Sequence, residues 1–170
     1  LFRSAILDSK KFELGTCDDC ALLLQDCYVS VIAPEDGVYY AEIRDSSYIG
    51  NGNYRYRAHL GSFPRPSGVY PLGGKAGTQV EVTYLGDASG PLKEMVTVPN
   101  TPGEKLKLQA KLNGLTAPSP NWFRVTSLDH TLEVEPNNNR DEASKQATPP
   151  ALPYAFDGII EKTSDEDWFK

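Results

Sequence analysis

The chain has 170 residues and carries 17 Lys and Arg against 23 Asp and Glu, so its formal net charge is −6. This acidic balance argues against nucleic-acid binding, which needs a basic face, and no apolar run is long enough to span a membrane. Gly and Pro number 14 and 13, and Met occurs once. Together with frequent aromatic and β-branched residues, this composition favours an all-β chain of short strands and many turns.

The first part of the chain, residues 1–63, is predicted to be built from strands. Four segments have strand-like sequences: 4–7, 11–14, 28–32 and 38–44. The first two flank a short polar turn and predict a hairpin. The last two are separated by a turn in which Pro34 fixes φ and Gly37 supplies a positive φ.

The segment 54–60 alternates strictly between two kinds of side chain. One face carries Tyr54, Tyr56, Ala58 and Leu60, and the other carries Arg55, Arg57 and His59. Because side chains alternate across a strand, this pattern predicts a half-buried antiparallel strand.

The middle of the chain, residues 64–131, follows a stiff proline-containing connector and contains five short predicted strands. Their spacing indicates a small antiparallel β-sandwich of immunoglobulin type. The Cys-Trp-Cys signature of antibody domains is absent, so the prediction concerns architecture alone.

Two acidic runs stand out in the last part of the chain, at 132–143 and 164–169. Their carboxylates and amides offer hard oxygen ligands, which calcium prefers, although the spacing of an EF-hand loop is absent. From the residues alone, a polar linker followed by a solvated turn is an equally good interpretation. Asn139 and Glu142 also predict a capping box for a short helical turn.

These runs resemble the opening of the bacterial pre-peptidase C-terminal domain family. The motifs are Glu135-Pro136-Asn137-Asn138, then Ala143, then Gly158-Ile159-Ile160, and finally Asp165-Glu166-Asp167-Trp168-Phe169. Residues 1–63 are similar to the closing half of the same family, through Ala33-Pro34-Glu35-Asp36-Gly37-Val38-Tyr39 and Tyr54-Arg55-Tyr56-Arg57.

The resemblance implies tandem small β-sandwiches of jelly-roll or immunoglobulin-like type. Residues 1–63 would be the end of one family domain, 64–131 the immunoglobulin-like domain, and 132–170 the start of a second family domain. Because Trp168 and Phe169 would lack partners within their own segment, we expect the chain to be part of a longer protein or to complete another copy head to tail.

The resemblance also implies a calcium site, because acidic residues hold calcium in the related collagen-binding domain of clostridial collagenase. The expected ligands are Glu133, Glu135, Asn137, Asn138, Asp165 and Asp167. Glu135 and Asp165 match acidic positions of the family motif most closely, whereas Asp167 is the alternative to Asp165.

The three cysteines, Cys17, Cys20 and Cys27, allow several interpretations. A zinc site lacks a second C-x-x-C, and two neighbouring aspartates oppose the low thiol pKa of a redox motif. A disulfide is favoured over free thiols, with a metal site third. Cys27 would be paired to Cys17 or Cys20, because the shortest ring is difficult to close without strain.

Tyr39, Tyr40 and Tyr48 belong to a tyrosine-rich region. Such residues usually pack across strands, but a flat aromatic surface for a fibrous protein or a polysaccharide is the functional interpretation.

No catalytic motif is visible, because neither His59 nor His130 lies near a recognisable serine or cysteine motif. We therefore expect a non-catalytic, calcium-stabilised adhesion, spacer or substrate-targeting module of a secreted or surface bacterial protein, located extracellularly, at the cell surface or in the periplasm. Its partners would be an extracellular protein or polysaccharide, or neighbouring domains or subunits. The alternatives are an accessory region of a secreted hydrolase and a structural subunit of an extracellular assembly.

Overall fold

The computed structural model describes residues 2–20, 27–148 and 151–170, and almost all regular structure within them is β-strand. The strands are β1 Phe2–Leu7, β2 Glu13–Cys17, β3 Tyr40–Asp45, β4 Gly68–Tyr70, β5 Gly73–Lys75, β6 Gln79–Leu85, β7 Leu92–Thr97, β8 Lys105–Leu108, β9 Lys111–Leu112, β10 Leu115–Thr116, β11 Asn121–Thr126, β12 Asp129–Leu132 and β13 Tyr154–Asp157. The single helix among the described residues is α1, Arg140–Ala143. The all-β prediction is confirmed.

The chain divides into two compact units, each assembled from separated segments. Unit 1 comprises Leu1–Val69, Thr83–Lys93 and Lys107–Trp122. Unit 2 comprises Tyr70–Val82, Glu94–Leu106 and Phe123–Lys170. The three predicted domains, 1–63, 64–131 and 132–170, stay a prediction.

Unit 1 contains a three-stranded antiparallel sheet with the order β2-β1-β3. The predicted hairpin is confirmed as β1 and β2, with Ser4 opposite Cys17 and Ile6 opposite Gly15. Its turn is closed by Asp8, whose Oδ1 accepts hydrogen bonds from the backbone N–H groups of Lys10 and Phe12, both at 2.8 Å. This Asx-type bonding explains why the polar turn forms where the sequence predicted it.

Two predicted strands of unit 1 are wrong. Segments 28–32 and 54–60 have no strand assignment, and every residue of 54–60 is exposed. Tyr56 and Leu60, which belong to the predicted buried face, are 63% and 71% exposed. An alternating pattern forms a strand only when a neighbouring backbone provides partners and an apolar surface covers one face. Among the described residues no strand pairs with 54–60, although the Tyr56 ring lies 5.8 Å from that of Phe2.

The predicted strands of the middle region form, although their arrangement differs from a purely antiparallel sandwich. They belong to sheets with the orders β4-β6-β7 and β5-β11-β8 and to a small β9-β10 pair. The β5–β11 pairing is parallel. Alternation along β6 and β11 is confirmed by burial, because the side chains of Val82, Tyr84, Phe123 and Val125 are almost fully buried. The sandwich packing stays a prediction.

Unit 2 ends in a parallel pair in which β12 runs beside β13, with Leu132 opposite Asp157. The helix α1 lies between these strands in sequence. Its predicted cap forms: Asn139 Oδ1 accepts a 3.0 Å hydrogen bond from the N–H of Glu142. Glu142 Oε2 accepts from the N–H of Asn138 at 2.9 Å, which completes a variant of the capping box.

Within the described part of the chain, no helix has the length and apolar character that crossing a membrane requires.

Candidate metal centre

Three of the predicted ligands converge in unit 2. Glu133 and Glu135 follow β12 directly, and Asp167 lies near the C-terminal end of the chain. Each offers one carboxylate oxygen, and these three oxygens all lie within 4.8 Å of one another. Three hard oxygens at this separation can share one cation.

The parallel strand pair fixes the position of Glu133. Its backbone N–H donates to the carbonyl oxygen of Asp157 at 2.8 Å, which extends the β12–β13 pairing by one residue. Its side-chain Oε1 accepts from the backbone N–H of Ile159 at 2.5 Å. One carboxylate oxygen is therefore used to hold the side chain, while the second oxygen remains for the cluster.

Asn137 links the two acidic runs through its backbone. Its N–H donates to Glu135 Oε2 at 3.1 Å, and its carbonyl oxygen accepts from the N–H of Trp168 at 2.9 Å. Because Trp168 directly follows Asp167, this bond keeps the second acidic run beside the first.

Gly158 lies in close contact with two carboxylates of the cluster. A Cβ atom at this position would lie 2.7 Å from Glu133 Oε2 and 2.8 Å from Asp167 Oδ2. Both distances are shorter than any normal contact of a Cβ atom, so a side chain would displace the carboxylates. Gly158 was expected only as part of the family motif, and the sequence carried no signal for this role.

Several polar atoms at the site are buried without a hydrogen-bond partner. They are Glu133 Oε2, Asp167 Oδ1, and both side-chain atoms Oδ1 and Nδ2 of Asn137. The Asn137 side chain is fully buried. Burying a polar atom without a partner costs about 1–3 kcal/mol, and more if it is charged. A bound cation would offset this cost at the oxygens.

The electrostatics of the site also favour a positive partner. Burial raises the pKa of Glu133, and the charges of Asp167 and Glu135 and a side-chain hydrogen bond with Asp167 raise it further, although the hydrogen bond from the Ile159 N–H opposes them. Burial, together with the charges of Glu133 and Asp157, raises the pKa of Tyr70 to about 12. In both cases burial is the largest cause of the raised pKa, and nearby negative charge adds to it.

The other two expected ligands have different contacts. Asn138 donates from Nδ2 to Glu135 Oε2 at 3.1 Å, so it supports a ligand and offers its remaining amide oxygen. Asp165 accepts from the backbone N–H of Glu161 at 2.7 Å and is not part of the three-carboxylate cluster. Of the two alternatives, the structure therefore places Asp167 beside Glu133 and Glu135.

Asp157 is a second polar centre of unit 2, and sequence analysis did not single it out. Its Oδ1 accepts from the N–H of Leu72 at 3.1 Å, and its Oδ2 lies 3.1 Å from His130 Nδ1. Its carbonyl oxygen accepts from the hydroxyl of Tyr70 at 3.0 Å. In the sequence, the only indication that Asp157 makes these contacts is its position directly before Gly158.

Trp168 and Phe169 remain partly exposed, at 44% and 39%. The Phe169 ring packs against Phe156 with a centroid separation of 4.4 Å, and Trp168 Nε1 donates to Glu166 Oε2 at 3.2 Å. Completion of these rings by further sequence or by another copy stays a prediction.

The cysteines are free thiols in the structure, so the predicted disulfide is not formed. Among the described residues, no group of three potential metal ligands includes a cysteine.

The three tyrosines of the predicted aromatic surface differ in exposure. Tyr48 is 80% exposed and Tyr40 is 48% exposed. The hydroxyl of Tyr39 donates to the carbonyl oxygen of Glu35 at 2.6 Å.

No protein-family model, curated protein or solved structure matches this chain. The resemblance to the pre-peptidase C-terminal family therefore stays a prediction based on its short motifs.

Proposed function

We propose that residues 132–170 form a calcium-stabilised module within a non-catalytic extracellular protein that serves in adhesion, as a spacer or in substrate targeting. The observation that carries the proposal is the convergence of Glu133, Glu135 and Asp167, with buried oxygens of Glu133 and Asp167 that have no hydrogen-bond partner. A structural cation explains why such a cluster is tolerated.

The chemistry of the donor set favours calcium over other common cations. All three carboxylates are hard oxygen donors, and zinc sites usually contain nitrogen or sulfur ligands. Calcium accepts six to eight oxygens in flexible geometry, whereas magnesium demands a near-ideal octahedron. Glu135 is exposed, so water can complete the coordination sphere on that side.

The cation would act as a clamp within unit 2. It would connect the residues that follow β12 to the C-terminal segment, where the backbone hydrogen bond from Trp168 to Asn137 already joins the two. If free calcium is about 100 times the dissociation constant, binding stabilises the folded state by about 2.7 kcal/mol. That is a large part of the stability of a small domain.

Thermal unfolding of the complete chain with calcium, with magnesium and with a chelator tests the proposal. Asp167→Asn should abolish the calcium-dependent rise in Tm. The matched control is Asp141→Asn, which makes the same charge change at an exposed residue of α1 and should retain the rise. Equal melting temperatures in calcium and chelator would refute the proposal.

The targeting role rests on a different observation, the exposed aromatic residues of unit 1. The Tyr48 ring is 80% exposed, and the Arg44 guanidinium lies 4.0 Å from its centroid, which holds the ring in place by a cation–π contact. Co-sedimentation with insoluble collagen and with insoluble polysaccharides tests this role. Tyr48→Ala should weaken binding, whereas Tyr154→Ala, in β13 of unit 2, should not.

A further inference from the structure

The β1–β2 hairpin of unit 1 places Cys17 on a defined face of its sheet. Cys17 lies directly opposite Ser4, and Gly15 lies opposite Ile6. Residues directly opposite in an antiparallel pair point to the same face, with Cβ atoms about 4.5–5.5 Å apart. Residues two apart on one strand also share a face. Cys17, Ser4 and Gly15 therefore belong to one side of the sheet.

The segment that begins at Cys27 crosses this same face. A Cβ atom on Gly15 would lie 2.8 Å from Val31 Cγ1 and 3.2 Å from Val29 Cγ1, so the side chains of both valines cover Gly15. Two residues earlier in the segment, Cys27 Sγ lies 3.0 Å from Ser4 Oγ. The side chains of residues 27, 29 and 31 therefore all point toward the sheet, and that of Cys27 contacts Ser4.

We propose that Cys17 and Cys27 are joined by a disulfide when the protein is oxidised, while Cys20 keeps a free thiol. Both are free thiols in the structure, but Cys27 contacts Ser4, which is the residue directly opposite Cys17. Cys20 has a different environment, because its sulfur lies 3.9 Å from the carbonyl oxygen of Ser67. A Cys17–Cys20 bridge would also need the more strained ring.

The chemistry requires an external disulfide as oxidant, such as oxidised glutathione. The thiolate of Cys27 attacks one sulfur of glutathione disulfide, forming a mixed disulfide and releasing one glutathione thiolate. The thiolate of Cys17 then attacks the Cys27 sulfur and releases the second glutathione. Both protein thiols lose a proton, and their two electrons reduce one glutathione disulfide to two glutathione thiols.

Access to the reacting sulfur is provided by a groove in unit 1 of about 1230 Å³, which is lined by Ser4, Cys27 and Tyr28 among other residues. Cys17 and Cys27 are each partly exposed. The bridge would fasten the crossing segment to the sheet, which strand pairing does not do, since residues 27–33 have no strand assignment.

Peptide mapping after oxidation identifies the bonded pair. The full chain is equilibrated in a glutathione redox buffer, and remaining thiols are alkylated. It is then digested under non-reducing conditions with a protease that cleaves before aspartate. Cleavage before Asp18, Asp19 and Asp26 separates all three cysteines, whereas cleavage at Lys and Arg would leave them in one peptide. We expect Cys17 linked to Cys27 and Cys20 alkylated.

Three variants and one control complete the test. Cys20→Ser should retain the bridge, and Cys17→Ser or Cys27→Ser should lose it. Reduction of the wild type should lower its Tm by roughly 10 °C, and reduction of Cys17→Ser should not. Oxidation in denaturant is the control for pairing that native structure does not direct. Three alkylated thiols under native conditions, or a bridge containing Cys20, would overturn the proposal.

Discussion

Glu133 and Asp167 present carboxylate oxygens to the same small space above Gly158, where a Cβ atom would lie within 3 Å of both. Each also has one buried oxygen without a hydrogen-bond partner. Two such carboxylates repel each other, and their proximity contributes to the raised pKa of Glu133. A cation between them would turn this repulsion into attraction.

Replacing Asp167 should change stability in opposite directions with and without calcium. In a chelator, Asp167→Asn removes the repulsion on Glu133, so the free energy of unfolding should rise by up to about 1 kcal/mol. In calcium, the variant lacks one ligand and should bind about 100-fold more weakly or worse, so that it loses most of the calcium-dependent stabilisation. Urea unfolding in both buffers measures the two effects. Destabilisation of equal size in both buffers would indicate a merely structural aspartate.

Gly158→Ala should disturb the cluster from the backbone side. The added methyl group would contact Glu133 Oε2 and Asp167 Oδ2 at distances below 3 Å, so both carboxylates must move. Because both contacts are the ends of flexible side chains, we expect weaker calcium binding and a change of less than about 1 kcal/mol in the free energy of unfolding without calcium. Gly50→Ala is the control, because its Cβ atom would have no neighbour within 4 Å. Equal behaviour of the two variants would contradict the geometry of the site.

Local patterns in the sequence were sufficient for part of the fold. The Asp8 turn, the buried alternation of Val82 and Tyr84, and the Asn139 cap all form as predicted, because each depends on residues close together in the chain. The segment 54–60 failed for the opposite reason. Its alternation is strand-like, but a strand needs a partner from elsewhere in the chain, and local sequence does not determine that partner.

In the candidate site, too, the sequence predicted the residue types but not the contacts between distant parts of the chain. The acidic runs predicted Glu133, Glu135 and Asp167 as possible ligands, and these three come together. Asp165 is not part of the cluster because its carboxylate accepts a hydrogen bond from the backbone N–H of Glu161. The sequence did not show which of Asp165 and Asp167 would make this local bond. The role of Gly158 depends on packing distances alone, which no residue pattern contains.

The stability of unit 1 should depend on pH through Asp87. Burial opposes the charged form, but hydrogen bonds from the Arg65 backbone and from Ser89 outweigh it and lower the pKa of Asp87 below its ordinary 3.8. The Arg65 N–H lies 2.5 Å from Asp87 Oδ2. A carboxyl group whose folded-state pKa lies below its unfolded value stabilises the fold fully above that value, and this stabilisation is lost as pH falls through the folded pKa.

Asp87→Asn removes this titration and should cost about 1.5 kcal/mol near neutral pH. The difference between wild type and variant should shrink as pH falls below 3.8. Denaturant unfolding between pH 7 and about pH 2 measures it. Asp36→Asn, at an exposed position, is the control and should differ little from wild type. A constant difference across the pH range would assign the effect to something other than ionisation.

Removing the cap of α1 should destabilise unit 2 without removing a ligand. Asn139→Ala deletes the acceptor that holds the N–H of Glu142 at 3.0 Å and should cost about 1 kcal/mol. Lys145→Ala, an exposed change in the same segment, should stay within about 0.5 kcal/mol of wild type. Chemical unfolding compares the two. If Asn139→Ala left the free energy of unfolding unchanged, the cap would not contribute to the stability of the folded state.

Isothermal titration of the complete chain with calcium tests the metal site most directly. Calcium should bind with a heat change and a stoichiometry of one per chain, and Asp141→Asn should behave in the same way. Glu135→Gln should bind more weakly, and Asp167→Asn should give little or no heat. No heat of binding in the wild type, combined with identical thermal melts in calcium and in chelator, would contradict the account and leave Glu133, Glu135 and Asp167 as a solvated acidic cluster.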